Sequence, residues 1–188
     1  RARDIPVLKR GQALGACVNA GYLVAIAGTH GKTTTTAMAT EILARAGKDP
    51  TGLVGGRVPG WSGNLRFGSD DLFVVEADEY DRSFHTLTPD VSVVTNVEAD
   101  HLDIYGDFEG VCEGFRTFLR GMRNGGRIVA CADDRGAASL LPCAGPAGYS
   151  YGTSAGSMLR AIDVRVSLTS TSCRVVEEGV GVGQLRLL

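Results

Sequence analysis

The sequence LVAIAGTHGKTT, residues 23–34, joins an unbroken apolar run to a glycine-rich loop and decides which fold we expect. The apolar run ends at Gly28, which is typical of a strand that is buried on both faces of a parallel sheet. Residues 31–46 predict a helix, with Gly47 at the position of a C-terminal cap. A strand, a glycine-rich loop and a helix in this order indicate a phosphate-binding loop.

The loop carries side chains suited to binding Mg²⁺ and ATP. Its glycines let backbone N–H groups approach phosphate oxygens, and the helix N-terminus adds a partial positive charge. In such a loop, Lys32 reaches the β- and γ-phosphates and the Thr33 hydroxyl binds Mg²⁺. The predicted nucleotide-binding residues are Gly28, Thr29, His30, Gly31, Lys32, Thr33 and Thr34.

The loop departs from the standard pattern G-x-x-x-x-G-K-T at one position. That pattern requires glycine at residue 26, where this chain has Ile26, so the loop is shorter than usual. The alternative is a glycine-rich turn that happens to precede a helix. The sequence Gly31-Lys32-Thr33 after a buried strand favours the phosphate-binding interpretation.

Two further segments rich in acidic residues follow predicted strands. The segment EADEYD, residues 76–81, comes directly after the apolar run LFVV, and four carboxylates this close require a counter-ion. Because ligands bind at the carboxyl ends of parallel strands, we expect part of this segment to face the nucleotide and the rest to be solvated. Glu76 is nearest to the strand and is the predicted metal ligand.

The second of these segments is TNVEADHLD, residues 95–103, whose first two residues end a strand predicted over residues 91–96. His101 lies among carboxylates, where it is either a metal ligand or an orienting group. A lone histidine is more often structural, but three segments converging at strand ends favour a functional role here. His85 has no comparable neighbours in the sequence and is assigned no role, and Asp133 and Asp134 are weak candidates for a contact with the ribose.

The composition excludes several other classes of protein. The formal net charge of −2 and the pI near 5.9 disfavour a nucleic-acid binder with a basic surface. No apolar run approaches the roughly 20 residues that span a bilayer. The five cysteines are scattered, so we expect reduced thiols packed as small apolar residues rather than disulfides or a zinc site.

The pattern as a whole predicts an α/β fold: a mostly parallel sheet around the phosphate loop, flanked by helices, with a small antiparallel extension. Apolar runs at residues 127–131 and a helical stripe over Phe108 to Met122 extend the parallel core. From Tyr149 onwards, polar and apolar residues alternate in a β extension, and residues 161–166 and 173–176 predict antiparallel strands. We expect residues 1–22 to be a connecting segment and residues 23–188 to form a truncated central domain.

Together, the three segments resemble the Mur ligase family. The shortened loop G-T-x-G-K-T-T matches Gly28 to Thr34, and Glu76 matches the family's magnesium-binding glutamate. Residues 96–101 match its N-x-x-x-D-H stretch, whose histidine contributes to a second Mg²⁺ site. The resemblance covers residues 5–135 in detail and the following β extension more loosely.

The resemblance implies a cytoplasmic bacterial ligase that acts in peptidoglycan precursor synthesis. It would join L-alanine to UDP-N-acetylmuramate through an acyl-phosphate intermediate, with ATP and Mg²⁺. Lys32, Glu76 and His101 would be catalytic, Thr33, Glu76 and His101 would bind metal, and His30 and Asn96 would touch the sugar nucleotide. The family's UDP-binding and amino-acid-binding domains fall outside this sequence, so we expect the chain alone to have little activity.

Three alternatives stay open. A ligase that recycles a whole murein tripeptide shares the histidine-containing loop, whereas the segment Asp103 to Gly106 favours the L-alanine branch. The absence of lysine after Lys48 argues against the later-acting ligases, which modify a lysine there. A folate-type ligase fits His30 and the acidic segment less well. A nucleotide-dependent switch, which is not a ligase, would not need the His101 segment.

Overall fold

The computed structural model describes residues 7–187, so residues 1–6 of the predicted connecting segment and Leu188 lie outside the described part. Residues 5 and 6, where the stretch covered by the resemblance begins, also lie outside the described part. The α-helices are α1 (Arg10–Val18), α2 (Lys32–Arg45), α3 (Leu102–Tyr105), α4 (Phe108–Arg120) and α5 (Arg135–Ala138). Two 3₁₀ segments cover Tyr80–Thr86 and Leu141–Ala147.

The strands form one sheet. They are β1 (Tyr22–Ala27), β2 (Thr51–Leu53), β3 (Leu65–Arg66), β4 (Leu72–Glu76), β5 (Val91–Val94), β6 (Arg127–Cys131), β7 (Gly148–Gly152), β8 (Leu159–Val166), β9 (Thr171–Glu177) and β10 (Val180–Leu187). Their order is β10-β9-β8-β7-β6-β5-β1-β4-β2-β3. All neighbours from β8 to β2 pair in parallel, whereas β3, β9 and β10 pair antiparallel with their neighbours. The predicted fold class is confirmed.

The central position of β1 places the glycine loop in the middle of the sheet. β1 pairs with β4 on one side and β5 on the other, so the carboxyl ends of these three strands meet at one edge. The three segments that the sequence singled out follow these three strands. The fold therefore brings them to the same edge of the sheet.

Helix α4 begins at Phe108, as its sequence predicts, and ends at Arg120, two residues before the predicted Met122. The Asp107 side chain accepts a hydrogen bond from the Gly110 N–H, and Gly121 forms the C-cap. The apolar face of α4 packs into the core, where the Phe84 ring stacks on Phe118 and meets Phe115 edge-on. This aromatic cluster closes one face of the parallel sheet.

Two sequence expectations need correction. The strand predicted over residues 91–96 ends at Val94, because Thr95 and Asn96 turn away to bind the glycine loop. The alternating tail was expected to leave the parallel core at Tyr149, but β7, which contains Tyr149, pairs in parallel with both β6 and β8. The antiparallel strands predicted at residues 161–166 and 173–176 are confirmed, since they lie in β8 and β9, which pair antiparallel. The sequence of β7 is GYSYG, so it lacks the apolar run that marks β1 and β4.

The cysteines confirm one expectation and correct another. All five are free thiols, as predicted. Only Cys112 is buried, however, while Cys17 and Cys143 are exposed, so most do not serve as core packing residues. Among the described residues, no helix is both long and apolar enough to cross a membrane.

Candidate functional site

The glycine loop between β1 and α2 is held in place by the segment that follows β5. The Thr29 N–H donates to the Asn96 carbonyl over 3.0 Å, and the His30 N–H donates to Asn96 Oδ1 over 2.7 Å. The Thr95 hydroxyl and the Asn96 amide donate to the His30 carbonyl over 2.7 and 3.1 Å. The Thr29 side chain also binds this segment, since its Oγ1 accepts a hydrogen bond from the Glu98 N–H over 2.9 Å. The loop is thus preorganised by backbone and short polar side chains.

Two glycines in the loop have positive φ angles. Gly28 has φ +136°, and a Cβ atom there would lie 2.1 Å from Thr95 Oγ1, so no side chain fits. Gly31 caps α2 in the left-handed conformation, with φ +79° and open space around its Cα. The first glycine allows the close approach of the two loops, and the second turns the chain into the helix.

The start of α2 presents free hydrogen-bond donors. Within the described part of the chain, the backbone N–H groups of residues 31–34 have no hydrogen-bond acceptor, whereas the Thr35 N–H donates to Gly31. These donors point along the helix axis towards the loop, where the helix dipole favours an anion. The arrangement is a cradle for a phosphate group.

Lys32 projects back over this cradle and is fully hydrogen-bonded. Its ammonium donates to the carbonyls of Gly28 and Thr29 over 2.6 and 3.1 Å. It also contacts both carboxylate oxygens of Glu79, at 3.0 and 2.8 Å. The exposed fractions of the two side chains are only 13% and 3%, so this ion pair is shielded from water.

The position of Glu79 depends on a distorted turn. Residues 81 and 82 have left-handed φ angles of 51° and 55°, which redirect the chain directly after Glu79. The Tyr105 hydroxyl donates to the Glu79 carbonyl over 2.7 Å. Burial raises the pKa of the Glu79 carboxyl, and the hydrogen bond from Lys32 acts in the opposite direction. Burial and the Glu79 charge raise the pKa of Tyr105 to about 12, so its hydroxyl remains a donor.

A second pair of oxygen groups lies beside the cradle. The Thr33 hydroxyl donates to Glu76 Oε2 over 2.8 Å, and the Gly55 N–H donates to the same oxygen over 2.7 Å. Glu76 is the last residue of β4, so the strand fixes the direction of its side chain. The structure therefore brings together two of the three residues that the sequence predicted as metal ligands.

His101, the third predicted ligand, lies closer to Glu79. Its Nε2 is 3.9 Å from Glu79 Oε1, its Nδ1 is 3.8 Å from Asp100, and its ring meets Tyr80 edge-on. Across residues 7–187, no group of three His, Cys, Asp or Glu side chains is close enough to hold a metal by itself. A metal-binding role for His101 stays a prediction.

The two predicted substrate-binding residues have different environments. The His30 side chain is largely exposed, with Nε2 at 3.7 Å from Glu98. Both polar ends of the Asn96 side chain bind the backbone of His30, so Asn96 shapes the loop in this structure. Direct contact of either residue with a sugar nucleotide remains a prediction.

Three residues outside the main motifs have structural contacts. His85, assigned no role, stacks on Phe84 and contacts the Gly114 carbonyl at 2.9 Å. Asp134 accepts hydrogen bonds from the Val97 and Ala137 N–H groups, and Asp133 accepts them from residues 153 and 154. The suggested ribose contact therefore competes with these bonds.

Glu79 and Tyr105 are the site residues that the sequence interpretation missed. Glu79 was one of four acidic residues after β4, and proximity to the strand favoured Glu76. Its burial depends on contacts with Lys32 and Tyr105, 47 and 26 residues away in the chain. The only local signal was the position of Glu79 within an acidic segment otherwise expected to be partly solvated.

A phosphate cradle at the carboxyl edge of a parallel sheet, with a lysine and an acidic strand end beside it, defines a P-loop nucleotide-binding protein. Residues 26–187 match the profile of the Mur ligase middle domain. The chain belongs to the Mur ligase family, as the resemblance of its three segments implied.

Individual relatives agree with this membership. The chain is 43% identical over 183 residues to a UDP-N-acetylmuramate–L-alanine ligase of Geobacter sp. (strain M21), covering 97% of this chain and 40% of that protein. The crystal structure of the UDP-N-acetylmuramate-alanine ligase MurC from Thermotoga maritima superposes with a TM-score of 0.78 at 26% identity, over 94% of this chain and 39% of that one. The chain thus spans about two fifths of the length of this curated relative.

A third relative has a different substrate in its name. The structure of UDP-N-acetylmuramate:L-alanyl-γ-D-glutamyl-meso-diaminopimelate ligase from Neisseria meningitidis superposes with a TM-score of 0.80 at 25% identity, over 98% of this chain and 61% of that one. The backbone of this domain is therefore shared by ligases that add one amino acid and ligases that add a tripeptide.

Proposed function

We propose that this chain is the ATP-binding part of a ligase that joins L-alanine to UDP-N-acetylmuramate in bacterial peptidoglycan synthesis. The observation that carries the proposal is the meeting of the phosphate cradle, Lys32 and the Thr33–Glu76 pair at one edge of the sheet. The similarity to a named L-alanine ligase over nearly the whole chain supports the choice of substrates.

The residues at the edge fit a magnesium-bound nucleotide. The free N–H groups of residues 31–34 and the Lys32 ammonium are donors for phosphate oxygens, and the space around Gly31 is open. Thr33 Oγ1 and the Glu76 carboxylate are hard oxygen ligands of the kind that Mg²⁺ prefers. We assign ATP to the cradle and the metal to Thr33 and Glu76, with His101 as a further candidate ligand. When bound, Mg²⁺ would neutralise charge on the transferring phosphoryl group.

The proposed chemistry activates a carboxylate in two steps. An oxygen of the lactyl carboxylate attacks the γ-phosphorus of ATP, the bond to the bridging oxygen breaks, and ADP leaves with that electron pair. The amine of L-alanine then attacks the carbonyl carbon of the acyl phosphate, the amine proton is lost, and inorganic phosphate leaves. Activation is required because a free carboxylate is a poor acyl donor at neutral pH.

The contribution of this chain to both steps is positioning and charge. Lys32 and the residue 31–34 amides hold the phosphates so that the γ-phosphorus faces the acceptor. Glu76 and Thr33 fix one side of the γ-phosphate, while His101 lies on the other loop of the edge. His30 is largely exposed, and we assign it a contact with the sugar nucleotide. We place the reaction in the bacterial cytoplasm.

A second candidate is the recycling ligase that adds a whole tripeptide. The specific observation that favours it is the superposition on the Neisseria meningitidis enzyme, which is as close as that on MurC. Both candidates use the same ATP site, so the two proposals differ only in the amine that accepts the acyl group.

The test measures phosphate release by the full-length protein with ATP, Mg²⁺ and UDP-N-acetylmuramate. One reaction receives L-alanine and another receives L-alanyl-γ-D-glutamyl-diaminopimelate. Release that depends on L-alanine supports the proposal, and release only with the tripeptide supports the second candidate. Release in neither reaction would contradict both. The chain of residues 1–188 alone is expected to be nearly inactive in the same assay.

A further inference from the structure

The Lys32–Glu79 ion pair is unusual for a site that binds phosphate. Lysine has three N–H donors, and here they are engaged by Gly28, Thr29 and the two oxygens of Glu79. A phosphate oxygen that contacts the Lys32 ammonium must therefore displace one of these acceptors. Glu79 is the charged acceptor of the three, and its negative charge would repel an incoming phosphate.

The backbone of Glu79 is held independently of its side chain. The Glu79 carbonyl accepts the Tyr105 hydroxyl over 2.7 Å and the Arg82 N–H over 3.0 Å, which anchors the main chain. The carboxylate itself, besides Lys32, has His101 Nε2 at 3.9 Å. His101 is therefore the neighbour towards which the carboxylate would turn on leaving Lys32.

We propose that Glu79 is a positioning residue that occupies the place of a phosphate group at Lys32 and releases the ammonium when nucleotide binds. This inference rests on the proposed function, because it requires ATP in the cradle. In this structure, Glu79 compensates the charge of a lysine that is shielded from water. On binding, the phosphates take over that compensation and Glu79 turns towards His101.

This role predicts a direction of change that a purely structural role does not. Replacing Glu79 by the isosteric glutamine removes the charge that competes with phosphate and leaves a side chain of the same shape. Nucleotide binding should then become tighter, by about tenfold, since a hydrogen bond to a charged group contributes at least this factor. A residue that only supports the fold would weaken binding or leave it unchanged when substituted.

The experiment is a calorimetric titration of the full-length protein with the β,γ-imido analogue of ATP, with Mg²⁺ and with EDTA, at constant ionic strength. The variants are Glu79→Gln, Lys32→Ala and Asp70→Asn. Asp70→Asn is the matched control, since it makes the same change of charge at an exposed carboxylate that lies before β4 and outside the site. We expect tighter binding for Glu79→Gln under both conditions, wild-type affinity for Asp70→Asn, and loss of binding for Lys32→Ala.

The following results would overturn the proposal. Unchanged or weaker binding by a folded Glu79→Gln variant contradicts the exchange, and weakening confined to the Mg²⁺ titration would make Glu79 a metal ligand instead. If Lys32→Ala binds like wild type, or if wild type does not bind, the nucleotide site itself fails and this proposal with it. Should Glu79→Gln not fold by circular dichroism, Glu79→Asp replaces it. Its shorter side chain retracts the carboxylate from Lys32, so a smaller gain in affinity supports the proposal and no gain contradicts it.

Discussion

The centre of the sheet and its antiparallel end differ in burial and in chemistry. In the centre, β1, β4 and β5 are covered on both faces, and their carboxyl ends carry the glycine loop and the two acidic segments. At the end, β8, β9 and β10 form an antiparallel extension in which every described position of β10 is exposed. The strands of the extension therefore contain apolar residues, but these residues are not buried in a core.

This contrast shows why the polar chemistry lies where it does. Strands buried on both faces cannot carry charged side chains along their length, so polar groups concentrate at the strand ends. In the extension, each strand has polar residues throughout, and charged pairs such as Arg174–Asp163 lie exposed on its surface. We therefore expect substitutions at the strand ends to change activity, those in the core to change stability, and those in the extension to change little.

The largest difference in activity between the site and the rest of the chain is expected when a positively charged side chain is removed. Lys32→Ala in the full-length ligase should lower kcat/KM by about 10³-fold or more, because the phosphates lose the cation that stabilises charge during transfer. Arg174→Ala in the extension and Lys48→Ala after α2 remove exposed cations and should leave kcat/KM within about twofold. Phosphate-release kinetics measure all three, and near-normal turnover by Lys32→Ala would refute the role of the loop.

A stability comparison should separate the core from the extension. Phe115 is 0% exposed and meets Phe84 edge-on, so Phe115→Ala should cost about 3–5 kcal/mol of unfolding free energy. Val182 in β10 is 53% exposed, and Val182→Ala should change it by no more than about 0.5 kcal/mol. Urea unfolding of the 188-residue chain gives both values, and equal losses would mean that the extension is packed more tightly than the structure shows.

Within the glycine loop, two matched substitutions test the assignment of the loop as the nucleotide site, because one should lower affinity and the other mainly stability. Gly28→Ala places a Cβ against Thr95 and should displace the loop, weakening nucleotide binding by about tenfold. Gly31→Ala has open space and bears only the cost of a left-handed residue, about 1–2 kcal/mol, mainly in stability. Calorimetric titration and thermal unfolding separate these effects, and a greater loss of affinity for Gly31→Ala would contradict the described geometry.

The smallest expected effect is on the pH dependence of stability, and it concerns Asp133, which lies between the central strands and the extension. Hydrogen bonds from Ser154 and Thr153 hold the pKa of Asp133 well below its usual range. A depressed pKa in the folded state contributes stability that is complete above the unfolded value of about 3.9 and is lost as the pH falls towards the folded value. The Tm difference between wild type and Asp133→Asn should therefore shrink below about pH 4. The exposed Asp70→Asn serves as the control, and a difference that stays constant with pH would exclude this contribution.

Much of the parallel core could be predicted from local patterns. The apolar runs that became β1, β4 and β6, and the stripe of α4, are signals that burial itself imposes on a sequence. The end of β5 and the parallel pairing of β7 could not be read in this way. The first depends on Asn96, which binds a loop 66 residues away in the chain. The second depends on the strands with which β7 pairs.

The site was predictable to a similar extent. The glycine loop and the Thr33–Glu76 pair follow from sequence order, because strand ends of a parallel sheet meet at one edge. The burial of Glu79 does not, since it requires the left-handed turn at Asp81 and Arg82 and the hydroxyl of Tyr105. Contacts between distant segments decide which of several adjacent carboxylates is buried.

The most direct test of the central claim, that the three strand-end segments form one site for magnesium-bound nucleotide, is the dependence of nucleotide affinity on Mg²⁺ in Glu76→Gln. The 188-residue chain is titrated with the imido analogue of ATP, with and without Mg²⁺. We predict that wild type binds more tightly with Mg²⁺, and that Glu76→Gln loses this gain while keeping the affinity measured in EDTA. A Glu76→Gln variant that keeps the full Mg²⁺-dependent gain would contradict the assignment.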